Sequence, residues 1–286
     1  MAQKILPLFP KEKVRLFEPF AGSAAVSIAA AANGMVNQIV LNDANEPLMR
    51  LWSRIINNPN DLIATYKRLW NDQSGDERQY YDHIRGEFNK SHDPDYLLYL
   101  LARCVKASVR YNANGEFNQS PDNRRRGAKP ETVAKHILGA SRLFHGITVV
   151  RYGDFQKAII NANSTDVIYM DPPYQGVCGG RDNRYFEGLP FDGFVEALED
   201  MNRRRLSFIV SYDGRAGDKM YGNTLPSSLN LNHIEVSAGV SSQATLLGRN
   251  VETVESLYIS PALVKRIGEP RIMKSQPVTQ AELSLF

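Results

Sequence analysis

Two consecutive prolines end the apolar run at residues 167–170, and this junction constrains the fold of the chain more than any other feature. The run is rich in β-branched and aromatic residues and predicts a buried strand, which the prolines terminate by fixing φ and removing two backbone donors. The residue before a proline is held in an extended conformation, so the carbonyls of Asp171 and Pro172 are aimed with little freedom. Ligands bind at the carboxyl ends of strands in open α/β sheets, so Asp171, Pro172, Pro173 and Tyr174 form either a site or a strand-ending turn with a solvated carboxylate.

Composition limits the class of protein. The chain has 286 residues, of which 43% are hydrophobic, and can bury a full core as one large domain or as a domain with an insertion. Its net charge is only +3, so nucleic-acid binding would require local clustering of cations. Cys104 and Cys178 have neither disulfide-framework nor metal-site spacing, which indicates a reducing cytoplasm and no metal. Residues 24–32 are too short to span a bilayer and residues 1–13 lack a signal-peptide pattern, so we expect no membrane association.

Residues 14–32 predict a strand, a turn and a helix in succession. Residues 14–17 predict a strand and residues 24–32 a helix, with Glu18, Pro19, Phe20 and Gly22 in the turn between them. The turn has one glycine and no Lys-Ser/Thr pair, so it is not a phosphate loop. A carboxylate at Glu18 suits a cationic or hydroxyl-bearing ligand.

An acidic residue follows the next predicted strand, residues 38–41. Asp43 lies 21 residues after Gly22, and an acid about 20 residues past a glycine turn is typical of residues that bind a ribose diol. Asp43 could instead cap the helix that begins near Glu46, although Asn45 could supply that cap by itself. The glycine turn and the acidic residue Asp43 together favour a nucleoside ligand.

From residue 47 to about residue 144 the apolar spacing is helical, and we predict an inserted helical domain over residues 51–144. The segment 103–129 carries seven Lys or Arg against two acids, with amides and aromatics between them. Such a segment is either a solvated loop or, as we favour here, a nucleic-acid contact. The candidate DNA-binding residues are Arg110, Asn112, Asn118, Arg124, Arg125, Arg126 and Lys129.

Strand signals resume at residues 147–150 and 206–211, with a helix over 191–204. Residues 233–236 and 256–259 predict an antiparallel pair. The predicted catalytic domain is therefore residues 1–50 and 145–262, and residues 263–286 are expected to be a flexible tail without a clear element.

In this order and spacing, six motifs resemble the DNA adenine-N6 methyltransferases of the Dam type (D12 class), over roughly residues 14–260. The motifs are residues 18–23, 41–45, 86–91, 110–118, 153–155 and 171–174. The resemblance implies an α/β fold with a seven-stranded, mostly parallel, Rossmann-like methyltransferase sheet, one strand antiparallel near the end, and an inserted helical target-recognition domain.

The cofactor that the resemblance implies is S-adenosylmethionine. Phe20 and Gly22 would line its methionine end, and Pro19, directly before Phe20, would also contact the cofactor. Glu18 would lie near the cofactor's ammonium group. Asp43 would bind the ribose hydroxyls, and Asp154 with Phe155 would bracket the adenine ring.

The resemblance also implies the chemistry. Asp171 and the carbonyl of Pro172 would each accept a hydrogen from the exocyclic amine of a target base, beside the cofactor, and Tyr174 would stack on that base after it leaves the duplex. The alternatives are N4-cytosine methylation and a non-catalytic DNA-binding relative or subunit. The expected partners are double-stranded DNA and, in a restriction-modification setting, a cognate endonuclease; the expected state is a monomer or weak dimer.

The chain departs from the family pattern in two places. The usual aromatic-Gly-Gly-Lys segment is missing at the start, where only Gln3 and Lys4 precede the matching residues. After Asn118 the usual Val-Pro-Phe-Gly is replaced by residues 119–122, followed by three arginines. The recognition sequence is therefore expected to differ from GATC.

Overall fold

The computed structural model describes residues 1–104, 109–173, 189–216, 219–240 and 252–268. The helices are α1 Ala2–Ile5, α2 Ala25–Ala32, α3 Glu46–Asn57, α4 Pro59–Asp72, α5 Glu77–Ser91, α6 Pro94–Arg103, α7 Pro130–Phe144, α8 Phe155–Ala158, α9 Phe191–Arg203 and α10 Pro261–Ile267. The strands are β1 Val14–Glu18, β2 Val36–Asp43, β3 Thr148–Tyr152, β4 Val167–Met170, β5 Phe208–Ala216, β6 Lys219–Tyr221, β7 Asn232–Val240 and β8 Glu252–Ile259. Short 3-10 turns lie at Leu6–Leu8 and Ser227–Leu229.

The strands form one sheet in the order β3-β2-β1-β4-β5-β8-β7, and the short β6 pairs with β5 beside this path. The first five strands are parallel, whereas β8 runs antiparallel to both of its neighbours. The predicted seven-stranded, mostly parallel sheet with one antiparallel strand is confirmed, and so is the antiparallel pair near residues 233–236 and 256–259. The additional strand β6 was not predicted.

Strand β4 lies in the middle of the sheet, between β1 and β5. All four of its residues are buried, as expected for a parallel strand that is covered on both faces. The sheet is covered by two apolar clusters: Val167 and Tyr169 face one cluster, and Ile168 and Met170 face the other. Residues of α1, α2, α3, α7 and α10 belong to the first cluster, and residues of α8 and α9 to the second.

The helical insertion has an apolar cluster of its own, to which α3 to α7 contribute. Helix α3 also contributes to the sheet, because Met49 and Trp52 belong to the first cluster while Leu51 belongs to the insertion. The predicted boundary at residue 51 therefore falls within helix α3, which packs against both the sheet and the helical insertion. The domain limits stay a prediction.

Residues 2–5 and residues 261–267 pack more extensively than the sequence indicated. Near the start, α1 buries Ile5 completely in the first cluster. The predicted tail was wrong for residues 263–267, which form most of α10. The Ser260 side chain accepts from the backbone N–H of Leu263 and Pro261 follows it, which is a favourable helix start. Leu263 is fully buried and attaches this helix to the core, while residues 269–286 lie outside the described part of the chain.

Candidate active site

A row of polar side chains follows the carboxyl ends of adjacent strands. Glu18 ends β1, Asp43 ends β2 and Asp171 follows β4. Residues two apart share a face of a strand, and Leu16, Leu41 and Tyr169, which precede these three acids by two positions, all belong to the first cluster. Side chains at Glu18, Asp43 and Asp171 are therefore brought to one edge and one face of the sheet.

Two residues that the sequence analysis missed extend this row. Ser211 on β5 is the next position after Val210, which pairs with Met170, so it lies beside Asp171. Its hydroxyl donates to Glu255 Oε2 on β8, at 3.4 Å. Strand β8 enters the sheet antiparallel, after a long separation in sequence, so no local pattern places Glu255 near Asp171.

Asp171 is exposed as a residue, but protein surrounds its carboxyl group closely enough to desolvate it. This burial raises the pKa of Asp171 to about 7, and the nearby Glu255 carboxylate adds to the rise. Pro172 is buried and Pro173 is half-buried; Tyr174 lies outside the described residues, so its predicted stacking role stays a prediction.

Glu18 is buried and bound to the start of α2. Its Oε2 accepts from the backbone N–H of Ser27 at 3.0 Å and from the Ser27 hydroxyl. The residue before α2, Ala24, supplies no side-chain cap, so Glu18 provides one from β1. Burial raises the pKa of Glu18 to about 7, and the Asp171 carboxylate adds to that rise. The structure therefore gives Glu18 a role in holding the turn, in addition to the ligand contact that stays a prediction.

Asp43 ties the end of β2 to the turn after β1. One of its carboxylate oxygens accepts from the Gly22 N–H at 3.0 Å, and the other accepts from the Asn45 N–H at 2.9 Å. Burial raises the pKa of Asp43. The helix α3 is capped by Asn45, whose side chain accepts from Leu48 N–H at 3.2 Å, so Asp43 is not needed as the cap.

The turn after β3 joins the same group. Asn42, which is buried, donates to the carbonyls of Pro19 at 3.1 Å and Gly153 at 3.0 Å. Sequence reasoning missed this residue, which connects the turns after β1 and β3. Asp154 caps α8 through two backbone N–H groups, at 2.7 and 3.1 Å. The exposed Asp154 side chain is thus bound to its own helix, and the bracketing role predicted for it stays a prediction.

An aromatic surface lies beside these turns. Phe20 is half-exposed, and the centroid of its ring lies 5.1 Å from that of Phe155. The ring centroids of Phe155 and Phe194 are 5.9 Å apart. A Cβ built at Gly22 would meet nothing within 4 Å, so the turn has open space in front of it. An aromatic ring, an open glycine turn and a carboxylate at the next strand end are the groups that a nucleoside ligand requires.

The predicted DNA-binding residues differ in how free their side chains are. Asn112 is used within its own turn: its side chain accepts from Asn114 N–H and Glu116 N–H and donates to the Glu116 carboxylate. Arg126 is folded back, since it pairs with Glu77 at 3.3 Å and lies over the Trp70 ring at 5.3 Å. Neither is arranged to meet DNA in this conformation.

The other candidates are more accessible. Asn118, Arg124 and Lys129 are exposed. Arg125 is also exposed and forms only a surface ion pair with Asp122, at 3.3 Å. Arg110 is half-buried and already has an interaction partner. Asn118, Arg124, Arg125 and Lys129 lie on the segment 118–129. Together with Arg126, which is exposed although it is ion-paired, they form the accessible part of the predicted basic surface.

Comparison with known proteins decides the family. The profile of the D12 class N6 adenine-specific DNA methyltransferases matches residues 1–241. The chain belongs to this family. The D12 class membership assigns it to the adenine-specific DNA methyltransferases and agrees with the resemblance drawn from the six motifs.

Three relatives show how similarity is distributed. The DNA N-6-adenine-methyltransferase of Escherichia phage P1 is 28% identical over 222 residues, which cover 74% of this chain but 28% of that protein. The Type II methyltransferase M1.LlaDCHI of Lactococcus lactis subsp. cremoris is 25% identical, covering 88% of this chain and 89% of the relative. The Retron Ec67 DNA adenine methylase of Escherichia coli is 29% identical, covering 85% and 83%.

Neither a membrane-spanning helix nor a metal cluster is found in the described ranges. No helix there is both long and apolar enough to cross a bilayer. No group of three or more His, Cys, Asp or Glu residues there is arranged to hold a metal ion.

Replacing Glu255 with glutamine is expected to shift the pH dependence of methylation to lower pH. The Glu255 carboxylate raises the pKa of Asp171, so the neutral and nearly isosteric amide lowers that pKa and leaves Asp171 ionised at lower pH. The acid limb of kcat/KM for S-adenosylmethionine, which reports groups of the free enzyme, should start near pH 7 and move down in the variant.

A matched control is Glu235→Gln. Glu235 lies on β7 opposite Ser256, the neighbour of Glu255 in sequence, and therefore on the other face of the sheet. It should leave the acid limb where it is. An acid limb that stays in place or rises in Glu255→Gln would show that Glu255 does not act on the group that limits the rate.

Proposed function

We propose that this chain transfers a methyl group from S-adenosylmethionine to the N6 atom of an adenine that has left the DNA duplex. The observation that carries the proposal is the position of Asp171 and Pro172. They follow the buried central strand β4 and lie in one row with Glu18 and Asp43 on the neighbouring strands. Family membership supports adenine as the target and the methyl donor. The open turn at Gly22, with Phe20 and Asp43 beside it, has the groups that suit a nucleoside ligand.

The amino group of adenine is a weak nucleophile, because its lone pair is delocalised into the ring. The ionised Asp171 carboxylate accepts one amino hydrogen and the Pro172 carbonyl accepts the other, which draws the nitrogen toward tetrahedral geometry. S-adenosylmethionine supplies an electrophilic methyl group. Transfer of the methyl group to the nitrogen would break the sulfur–methyl bond of the donor, whose electron pair stays on sulfur. The nitrogen would pass the proton held by Asp171 to that carboxylate and on to solvent, so that the product amine is neutral. Positioning and electrostatics account for the catalysis.

The turns after β1, β2 and β3 form the pocket that we assign to the cofactor. Asp43 would accept from the ribose hydroxyls, and Phe20 offers a half-exposed ring to the adenine or the thioether side of the ligand. The open space at Gly22 lets backbone approach the ligand closely. Asn42 joins the turns at Pro19 and Gly153, and Phe155 contacts Phe20. Asp154 with Phe155 would bracket the adenine ring.

The accessible basic surface on segment 118–129 would contact duplex DNA. We assign phosphate contacts to Arg125 and Lys129, and base-edge contacts to Asn118 and Arg124, because amide and guanidinium groups pair with base edges in the major groove. A cytoplasmic location and a monomeric or weakly dimeric state are part of the same proposal. A cognate restriction endonuclease is its further partner in a restriction-modification setting, the class to which the Lactococcus lactis relative belongs by name.

The proposal is tested by sequencing DNA from cells that express the chain, with detection of modified bases in context, against the same cells carrying Asp171→Ala. We expect N6-methyladenine at one short motif that differs from GATC, only in cells with the wild-type chain. Modification of cytosine N4 instead would refute the adenine assignment. The absence of any modified base, with expression confirmed, would refute the activity.

A further inference from the structure

The basic surface lies on a stretch of chain without helix or strand. Between the end of α6 and the start of α7, the described residues form only two isolated bridges, Cys104 with Pro121 and Tyr111 with Phe117. Residues 117–128 carry the exposed Asn118, Arg124 and Arg125, and we call them the reading segment. Three adjacent arginines, residues 124–126, repel one another, so an unsupported segment of this composition would not keep one shape.

Side chains of the helical insertion, all buried except the half-buried Asn89, take the place of regular secondary structure. Five of them donate to six backbone carbonyls of the reading segment. The bonds run from Asn89 to Phe117 (3.2 Å), Tyr81 to Gln119 (2.8 Å), Arg103 to Asp122 (3.1 Å) and to Arg125, Gln73 to Arg126 (3.2 Å) and Tyr66 to Ala128 (2.6 Å). The segment is thus held by its carbonyls on the inside, while its polar side chains face solvent.

Arg103 is the central member of this set. Its side chain enters from the end of α6 and is only 3% exposed. One guanidinium nitrogen, Nη1, donates to the carbonyls of both Asp122 and Arg125, and the Arg103 carbonyl accepts from Asp122 N–H at 2.8 Å. These bonds span the turn that presents Arg124. Hydrogen bonds from a buried charged donor are the strong ones, so loss of the guanidinium would remove strong bonds to two partly buried carbonyls.

The backbone at Gly127 is fitted to the same side chain. Gly127 has φ +86°, and a Cβ there would lie 2.8 Å from Arg103 Cδ and 3.0 Å from the Ala102 carbonyl. The reading segment therefore passes so close to Arg103 that only glycine fits. Arg103 therefore holds the segment by its carbonyls, and Gly127 permits the close approach of the segment to Arg103.

We propose that Arg103 is a positioning residue for DNA recognition: it holds the carbonyls of Asp122 and Arg125 so that the backbone that carries Arg124 keeps one conformation before DNA binds. The inference rests on the proposed contact between the reading segment and DNA. Although it carries a charge in a basic region, Arg103 does not meet the phosphates itself. Preorganising the segment lowers the entropy lost on binding, and a fixed Arg124 discriminates between base edges, which a mobile one does less well.

The test uses unmodified genomic DNA as substrate, with N6-methyladenine positions read by sequencing after incubation with purified full-length chain. Arg103→Met removes the guanidinium donors while keeping an unbranched side chain. We expect methylation to spread to sites that differ by one base pair from the wild-type motif, with KM for DNA raised about 10-fold, kcat changed less than about threefold, and affinity for S-adenosylmethionine unchanged. Arg103→Lys should be intermediate, since its ammonium keeps the charge and a donor.

Two further variants separate positioning from general stability. Arg54→Met removes another arginine of the insertion. Arg54 forms an ion pair with Asp95 at 2.9 Å and makes none of the bonds to the reading segment described above. The substitution should lower the melting temperature without relaxing the motif. Gly127→Ala should relax the motif with Arg103 still present, and it keeps the inference testable if Arg103→Met does not fold.

An unchanged motif and an unchanged KM for DNA in both Arg103→Met and Gly127→Ala would overturn the inference. Equal relaxation of the motif by Arg54→Met would overturn it too, because the effect would then follow from lost stability. The absence of methylation by the wild-type chain would instead contradict the proposed function, so the two failures are distinguishable.

Discussion

Replacing Asp171 with alanine is expected to lower the rate of adenine methylation by about 10³-fold, the size of effect seen when an enzyme loses one preorganised polar group at the reacting centre. Asp171 is assigned the task of accepting an amino hydrogen, so without it the nitrogen stays planar and poorly nucleophilic. Single-turnover methylation of duplex DNA, at saturating S-adenosylmethionine, measures the loss directly.

Binding of DNA should be largely spared in Asp171→Ala, because the reading segment lies on the helical insertion. Glu199→Ala is a suitable control, since Glu199 is an exposed acid on α9; its rate should match the wild type. Asp171→Ala activity within about threefold of wild type would remove Asp171 from the mechanism. Loss of DNA binding together with activity would mean that the substitution acts on folding instead.

The second large effect is expected at Asp43. Asp43→Ala should raise the dissociation constant for S-adenosylmethionine about 10- to 100-fold, since a hydrogen bond to a charged group contributes about 1.5–3 kcal/mol. Asp43→Asn, which keeps one acceptor oxygen for Gly22 N–H or Asn45 N–H, should lose less affinity. Titration calorimetry of the isolated chain gives these constants without any need for DNA.

The control for Asp43 is its neighbour Asn45. Asn45→Ala removes the side-chain cap of α3 and should lower the melting temperature, a cap being worth about 1 kcal/mol. It should leave the affinity for S-adenosylmethionine within about twofold, because the Asp43 carboxylate remains. An unchanged dissociation constant in Asp43→Ala would show that the cofactor ribose lies elsewhere, and no saturable binding by the wild-type chain would favour the non-catalytic relative.

The central strand and its turn could be predicted from sequence because the information is local. Residues 167–170 form one apolar run, and Pro172 and Pro173 end it wherever it lies in the fold. The same holds for Asp43 and the turn at Gly22, whose spacing follows from one βα unit. The number of strands and their directions follow from the resemblance and not from these patterns.

The contacts that the sequence analysis missed are non-local. Glu255 reaches Asp171 only because β8 enters the sheet antiparallel, and Arg103 looks like a member of a basic surface until the fold places it beneath that surface. Glu18 has the residue type of a ligand contact, yet its carboxyl also caps α2. In each case the residue type was visible, but its partner depends on pairing across the chain, which periodicity does not report.

The most direct test of the adenine assignment is the identity of the methylated nucleoside. Purified chain is incubated with unmodified duplex DNA and S-adenosylmethionine carrying an isotopically labelled methyl group, the DNA is digested, and the nucleosides are separated and identified by mass. We predict that the label appears in N6-methyldeoxyadenosine, and that Asp171→Ala abolishes it. Label in N4-methyldeoxycytidine, or no labelled nucleoside from a chain that binds S-adenosylmethionine, would contradict the assignment.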